Sequence, residues 1–287
     1  MGWQVADDAG VLYVVATPIG NLGDMSLRAR EVLAAVDVVA CEDTRHSRPL
    51  LTHFGIATAL VAYHEHNEVA QTPKLLGRLT AGASIALISD AGTPLVSDPG
   101  YVLVRAARAA GVRVVPVPGP SAPVCALSAA GLPSDRFLFL GFPPRGAAAR
   151  REWIGAVAGE PGTLIMFEAA RRVAATLADL SAVLGARPAV LARELTKRFE
   201  TLLDAPLPEL AARVTEESEQ QRGEVVVLVG GARDASNSDR EAEERRVLDI
   251  LAAELPLKQA VALTARITGG HRNALYRRAL AGRDERA

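Results

Sequence analysis

The chain has 287 residues, 49% of them apolar, 23% charged and 4% aromatic, with a formal net charge of -1. That length exceeds what one hydrophobic core organises, which predicts two compact domains and a smaller appendage. Scarce aromatic residues exclude a single-strand nucleic-acid binder built on stacking platforms, and near-neutrality excludes a global field that draws in polyanions, so any RNA contact is local.

Short apolar runs alternate with amphipathic segments through the first two-thirds of the chain, the pattern of an α/β sheet. Strands are predicted at Leu12 to Ala16, Val36 to Cys41, Ala59 to Tyr63, Ser84 to Ser89, Arg113 to Val117 and Phe137 to Gly141. Helices are predicted at Ser26 to Ala35, Glu68 to Leu79, Tyr101 to Ala110 and Ser121 to Ala130. The first strand runs into the turn Thr17 to Asp24. After the third come His64, Glu65, His66, Asn67 and Glu68. Two alternating histidines and a carboxylate hint at a metal, but His46, His53 and His271 lack the spacing to complete a zinc set, so no metal is expected and the stretch reads as a polar loop lining a cleft.

The most informative loop follows the strand Ser84 to Ser89 and reads Asp90, Ala91, Gly92, Thr93, Pro94, then Ser97, Asp98, Pro99, Gly100. Gly92 lets a ligand approach the backbone, Pro94 stiffens the turn, and Asp98 before Pro99 reads as the cap of the next helix. Ligands of open α/β sheets gather at such strand ends. The loop has neither the spacing of a phosphate cradle nor that of a dinucleotide fingerprint. A second turn, Val117 to Ala122, carries Gly119 between two prolines, and Ser121 reads as a helix cap.

Phe142, Pro143, Pro144, Arg145 and Gly146 suit neither helix nor strand and read as the interdomain linker. Domains are therefore expected at 10–142 and 146–232. The second has strands near Thr163 to Phe167, Ala189 to Arg193 and Glu224 to Val229, and helices near Arg171 to Leu184 and Leu207 to Glu216. A Gly-, Ser- and Asn-rich connection, 230–239, leads to a basic helical tail at 240–287. From Pro256 to Arg283 this tail has no acidic residue, and two helices, Leu257 to Thr268 and Arg272 to Ala281, flank Gly269 and Gly270 in the manner of a helix-turn-helix. Cys41 and Cys125 read as buried free thiols of a reducing compartment. No apolar run has the length of a membrane span, so a cytoplasmic protein is expected.

Six stretches in order carry a resemblance: Ala16 to Asp24; Cys41 to Arg45; His64 to Glu68; Asp90 to Gly100; Pro118 to Ala122; and Arg193 to Lys197. Together they resemble the ribosomal RNA small-subunit methyltransferase I family over nearly the whole chain. The resemblance implies the tetrapyrrole-methylase fold, with two αβα domains, S-adenosyl-L-methionine in the cleft between them, and a homodimer. It also implies 2′-O-methylation of a cytidine in the decoding region of small-subunit ribosomal RNA, in the assembled 30S subunit, with S-adenosyl-L-homocysteine as product. By position, the cofactor residues are Pro18, Asp90, Ala91, Gly92, Pro94, Ser121 and Ala122, with Phe167 and Leu195 from the second domain. Where the family commonly has an aromatic residue, Glu, a small residue, Pro, His and Arg, this chain reads Phe167, Glu168, Ala169, Ala170, Arg171, Arg172. No histidine is available to act there.

Methyl transfer from a sulfonium needs alignment above all, plus a base or cation to manage the hydroxyl proton and the developing alkoxide. Glu194 or Asp24 is the expected base and Lys197 or Arg45 the expected cation. RNA contacts are expected from Arg45, His64, His66, Asn67 and Arg145, and from Lys258, Arg272, Arg277 and Arg278 in the tail. Two other readings stay open: a C-methyltransferase acting on a tetrapyrrole, and a non-enzymatic RNA-binding protein.

Overall fold

The computed structural model describes residues 10–232 and 237–277, and Arg278 lies outside them. The chain divides into two units, 1–232 and 233–287.

In the first unit, β1 (Val11–Val15), α1 (Leu27–Ala35), β2 (Val38–Cys41), α2 (Thr44–His53), β3 (Leu60–Ala62), α3 (Glu68–Thr80), β4 (Ile85–Ile88), α4 (Tyr101–Ala109), β5 (Arg113–Val117) and α5 (Ala122–Ala129) follow one another. The five strands form a parallel sheet in the order β3-β2-β4-β1-β5. Its residues alternate between two cores. Tyr13, Val39 and Ile88 pack on one face with α1, and Leu12, Ala40 and Leu87 on the other with α3 and α4. Burial on both faces is why these strands appear in the sequence as unbroken apolar runs.

The chain continues through β6 (Phe137–Phe139), α6 (Ala147–Ala156), β7 (Thr163–Ala169), α7 (Val173–Leu184), β8 (Pro188–Arg193), β9 (Thr201–Pro206), α8 (Leu207–Glu216) and β10 (Glu224–Val229). These strands form a second sheet, β6-β7-β10-β8-β9, in which only β6 and β7 run parallel. The strand predicted at Phe137 to Gly141 therefore belongs to the second sheet, not the first: Leu138 lies beside Leu164 in register. The handover between sheets comes before the proline-rich run 142–146, which carries no regular structure. One face of the second sheet packs on α6, α7 and α8. The other, with Ile165, Ala192 and Val226, packs on Ala126 and Leu127 of α5 and on Ile19 from the turn after β1. That apolar contact joins the two halves.

The second unit contains α9 (Asn237–Glu254) and α10 (Leu257–Thr268), and residues 272–277 are helical. Gly269 closes α10 in the left-handed conformation, at φ 72°. Leu248, Ala260, Val261 and Leu275 form its core. Among the described residues no helix is long and apolar enough to cross a membrane.

Candidate active site

Three turns at the carboxyl ends of the first sheet form one assembly. The Thr17 N–H donates to the Gly92 carbonyl at 2.9 Å and the Gly92 N–H to the Thr17 carbonyl at 3.0 Å, which staples the turn after β1 to the loop after β4. The Thr93 hydroxyl donates to the Pro120 carbonyl at 2.9 Å and ties in the turn after β5. Gly92 has φ 85°, a conformation that favours glycine, and a Cβ there would crowd Ile19 Cγ2 at 3.3 Å.

This assembly forms one wall of a cavity of about 390 Å³. Of the residues named from the sequence, Ala91, Gly92, Ser121 and Ala122 line it from the first sheet, and Phe167 and Leu195 from the second. Pro18, Asp90 and Pro94 do not line it. Asp90 instead turns its carboxylate to the Asp43 N–H, 3.2 Å away. The Ser121 side chain makes no capping bond to α5 and faces the cavity, so the capping reading is replaced.

Val96 and Leu195 enter the cavity from opposite sides, and each stands between left-handed non-glycine residues: Leu95 and Ser97 at φ 73° and 66°, Glu194 and Thr196 at φ 50° and 66°. Such conformations cost about 1–3 kcal/mol each and persist where surrounding structure over-determines them, characteristically at ligand sites.

Among the described residues three carboxylates line the cavity: Asp98, Glu168 and Glu224. Glu168, with no exposed side-chain surface, is saturated. It accepts from the Ala169 N–H at 2.7 Å, from Arg172 Nε at 2.8 Å and from the Thr176 hydroxyl. Glu224 is largely solvated and pairs with Lys197 at 3.1 Å. Asp98 is different. The sequence suggests it as a helix cap, yet α4 begins at Tyr101 behind Gly100, and Asp98 faces the cavity. Burial there, with the Glu42 and Asp90 charges beside it, outweighs a hydrogen bond from Ser89 and pushes its carboxyl up to about 6. Phe142 is another lining residue that sequence reasoning passed over, as it did Ile19 and Val96; it lies against Phe167 with ring centroids 5.4 Å apart.

The four expected catalytic residues stand outside the lining. Asp24 is exposed in a 3-10 turn. Arg45, 89% exposed, pairs with Asp43 at 2.7 Å, and this partner holds the Asp43 carboxyl at about 2. Lys197 donates to Glu194 at 3.0 Å and to Glu224 at 3.1 Å. Burial works to raise the Glu194 carboxyl, but the Glu224 N–H and the Lys197 ammonium prevail and lower it. The Lys197 stem crosses to the first sheet's turn, where a Cβ on Gly20 would meet its Cγ at 2.5 Å.

The expected RNA contacts divide in the same way. His66 is exposed beside Glu65, and Arg145 is exposed. Asn67 is committed internally, accepting from the His64 N–H at 2.9 Å and donating to the Ala62 carbonyl at 3.1 Å. His64 is partly buried. Lys258, Arg272 and Arg277 are exposed in the second unit. Both cysteines are free thiols, Cys41 buried and Cys125 partly so. Among the described residues no three His, Cys, Asp or Glu side chains are grouped to hold a metal ion.

Residues 11–211 match the family described as Tetrapyrrole (Corrin/Porphyrin) Methylases, and residues 238–283 match the RsmI C-terminal HTH domain. A protein of Pseudomonas aeruginosa named ribosomal RNA small subunit methyltransferase I is 58% identical over 95% of this chain and 97% of its own length. The chain belongs to that family. An Escherichia coli O157:H7 member is 54% identical over 96% of the chain and 97% of its own length. In fold this family member is similar to the methyltransferase CobJ, with TM-score 0.58 at 19% identity over 78% of this chain and 95% of that one. It is also similar to uroporphyrin-III C-methyltransferase of Thermus thermophilus solved with S-adenosylhomocysteine, with TM-score 0.53 at 20% identity over 77% and 97%.

Proposed function

We propose that this protein methylates small-subunit ribosomal RNA, moving the methyl group of S-adenosyl-L-methionine to the ribose 2′-hydroxyl of a cytidine in the decoding region. The likeness over nearly the full length to relatives named for that RNA carries the reading. The cavity fits the cofactor's chemistry. Its apolar side, with Phe142 and Phe167, suits a purine, its glycine turns admit close backbone approach, and Asp98 sets an anion against a ligand that carries an ammonium and a sulfonium. The bound cofactor supplies a methyl group already activated for in-line displacement. The chain's own work is alignment: Val96 and Leu195, held between left-handed neighbours, close on the ligand from two sides.

Pro18, Asp90 and Pro94 serve by shaping the turns. Glu194 serves by holding Lys197 over Gly20, where that ammonium is the cation for a developing alkoxide. Within the first unit Arg45, His64, His66 and Arg145 are assigned to RNA contact; in the tail, taken by itself, Lys258, Arg272 and Arg277 are. A homodimer is supported by the exposed Leu22, Val124 and Phe199, whose neighbours Asp24 and Glu200 both lie within electrostatic reach of Cys125. A reaction on the 30S subunit places the protein in the cytoplasm.

The test is incubation with 30S subunits, free small-subunit RNA and uroporphyrinogen, each with methyl-labelled cofactor. We expect label in the subunits, released by nuclease digestion as 2′-O-methylcytidine. Label only in the tetrapyrrole, or on a base atom, would overturn the reading.

A further inference from the structure

Carboxylates near the cavity are nearly all committed. Asp43 belongs to Arg45, Asp90 accepts the Asp43 N–H, Glu65 is exposed beside His66, and Glu168, Glu194 and Glu224 are held by Arg172 and Lys197. Asp98 faces the cofactor's positive charge. One remains. Glu42, directly after β2, is partly buried at the carboxyl edge of the first sheet, and its carboxylate has no hydrogen bond or ion pair among the described residues. It stands beside the cavity rather than in its lining: the N–H of the next residue, Asp43, donates to the Asp90 carboxylate at 3.2 Å, and Ala91, directly after Asp90, lines the cavity.

Resting on the function proposed above, we infer that Glu42 is the general base that removes the proton from the acceptor hydroxyl. Glu42 takes that proton as the acceptor oxygen forms its bond to the methyl carbon. The bond given up is methyl to sulfur, whose electron pair stays with sulfur. One C–O bond forms, one C–S bond breaks, one proton moves, and no external oxidant or reductant is needed. Partial exposure then lets Glu42 return the proton to water.

The surroundings of Glu42 suit a base. Burial raises its carboxyl above the ordinary value, Asp90, Glu65 and Asp43 raise it further, and His64 opposes them; Asp98 is the remaining charged neighbour. A carboxylate made more basic, without a cation to quench it, takes up a proton more readily than Glu194, which is lowered, or Asp43, which is held at about 2. His64 on the next strand end, with its Nδ1 buried and unpartnered among the described residues, flanks the carboxylate.

The experiment compares wild type, Glu42→Gln and Glu42→Asp in single-turnover methylation of 30S subunits. Saturating cofactor removes the effect of Asp98 titration on binding. Wild type is expected to show a rate that rises tenfold per pH unit on its acid side. Glu42→Gln should lose about a hundredfold or more, the usual worth of a positioned base, and lose the acid-side rise, yet keep its thermal shift with S-adenosylhomocysteine. Glu42→Asp should keep the rise at a reduced rate. A Glu42→Gln rate within threefold of wild type, or one that keeps the same pH profile, would overturn the role. If wild type forms no 2′-O-methylcytidine, the functional reading fails and the role with it. If wild type forms it and Glu42→Gln does so equally, only the role fails.

Discussion

Asp98 can be tested alone because its stability and its affinity should move in opposite directions. Its folded carboxyl titrates at about 6 against an ordinary 3.8, so the folded state binds the proton more tightly and stability falls as pH rises from about 4 to about 6. Above that window the ionised group is a standing cost, at most about 3 kcal/mol for a shift of this size and roughly 1 kcal/mol after solvent screening. Asp98→Asn should therefore raise Tm by roughly 2–4 °C at pH 7.5, with the gain vanishing toward pH 4. Calorimetry across pH tests this. The same variant should bind S-adenosylhomocysteine ten- to a hundredfold more weakly, the worth of a lost charge-assisted contact. Wild-type affinity should likewise fall below about pH 6. A variant that binds normally and melts no higher would show that Asp98 does not face the ligand. The sequence displays Asp98 in a ligand loop, but before a proline it reads as a cap. Only the start of α4 at Tyr101 frees it for the cavity.

At the scale of elements, the link from β7 into α7 depends on the Glu168 and Arg172 pair. Glu168 ends among the residues lining the cavity, and Arg172 also donates to the Pro143 carbonyl, so one guanidinium fixes both the cavity wall and the proline-rich run. Arg172→Ala would leave a buried carboxylate without its cation, which costs about 3–5 kcal/mol, and Tm should fall by roughly 6–15 °C. The double variant Arg172→Met with Glu168→Gln should recover most of that loss. If the single variant melts within 2 °C of wild type, the pair is not a structural anchor. The partners are four residues apart, but Glu168 lies in β7, so helical spacing does not identify them as a pair. Elements that leave a trace in the sequence were legible: β2 and β4 are apolar throughout because both faces are covered, and α10 spans Leu257–Thr268 as its spacing and Gly269 predict. Those without a trace went unread. α2 is mostly polar with Pro49 inside it, α6 opens on three alanines, and β9 is an edge strand hydrogen-bonded only to β8. Phe142 was missed for another reason: it shares one space with Asp98 only when the two sheets pack, which no local pattern encodes.

Across the whole molecule the charge is nearly balanced, so affinity for a polyanion must come from local clusters, and the tail is the most one-sided of them. Leu275 is buried in the core of the second unit while Arg272, Asn273, Tyr276 and Arg277 on the same helical turns are exposed. Burial of Leu275 thus anchors the helix and leaves its basic side to solvent. If that side meets phosphates, changing Arg272 and Arg277 together to Ala should flatten the dependence of log affinity for 30S subunits on log salt by about 1.5 units, and lower affinity about tenfold near physiological salt. Cofactor affinity depends on a cavity lined wholly within 1–232 and should not move. Methylation would then show a raised KM for subunits with kcat preserved, the sign of lost binding made equally in ground and transition states. An unchanged salt slope would instead mean that the tail's arginines are merely solvated, and that the RNA is held by the turns around the cavity alone.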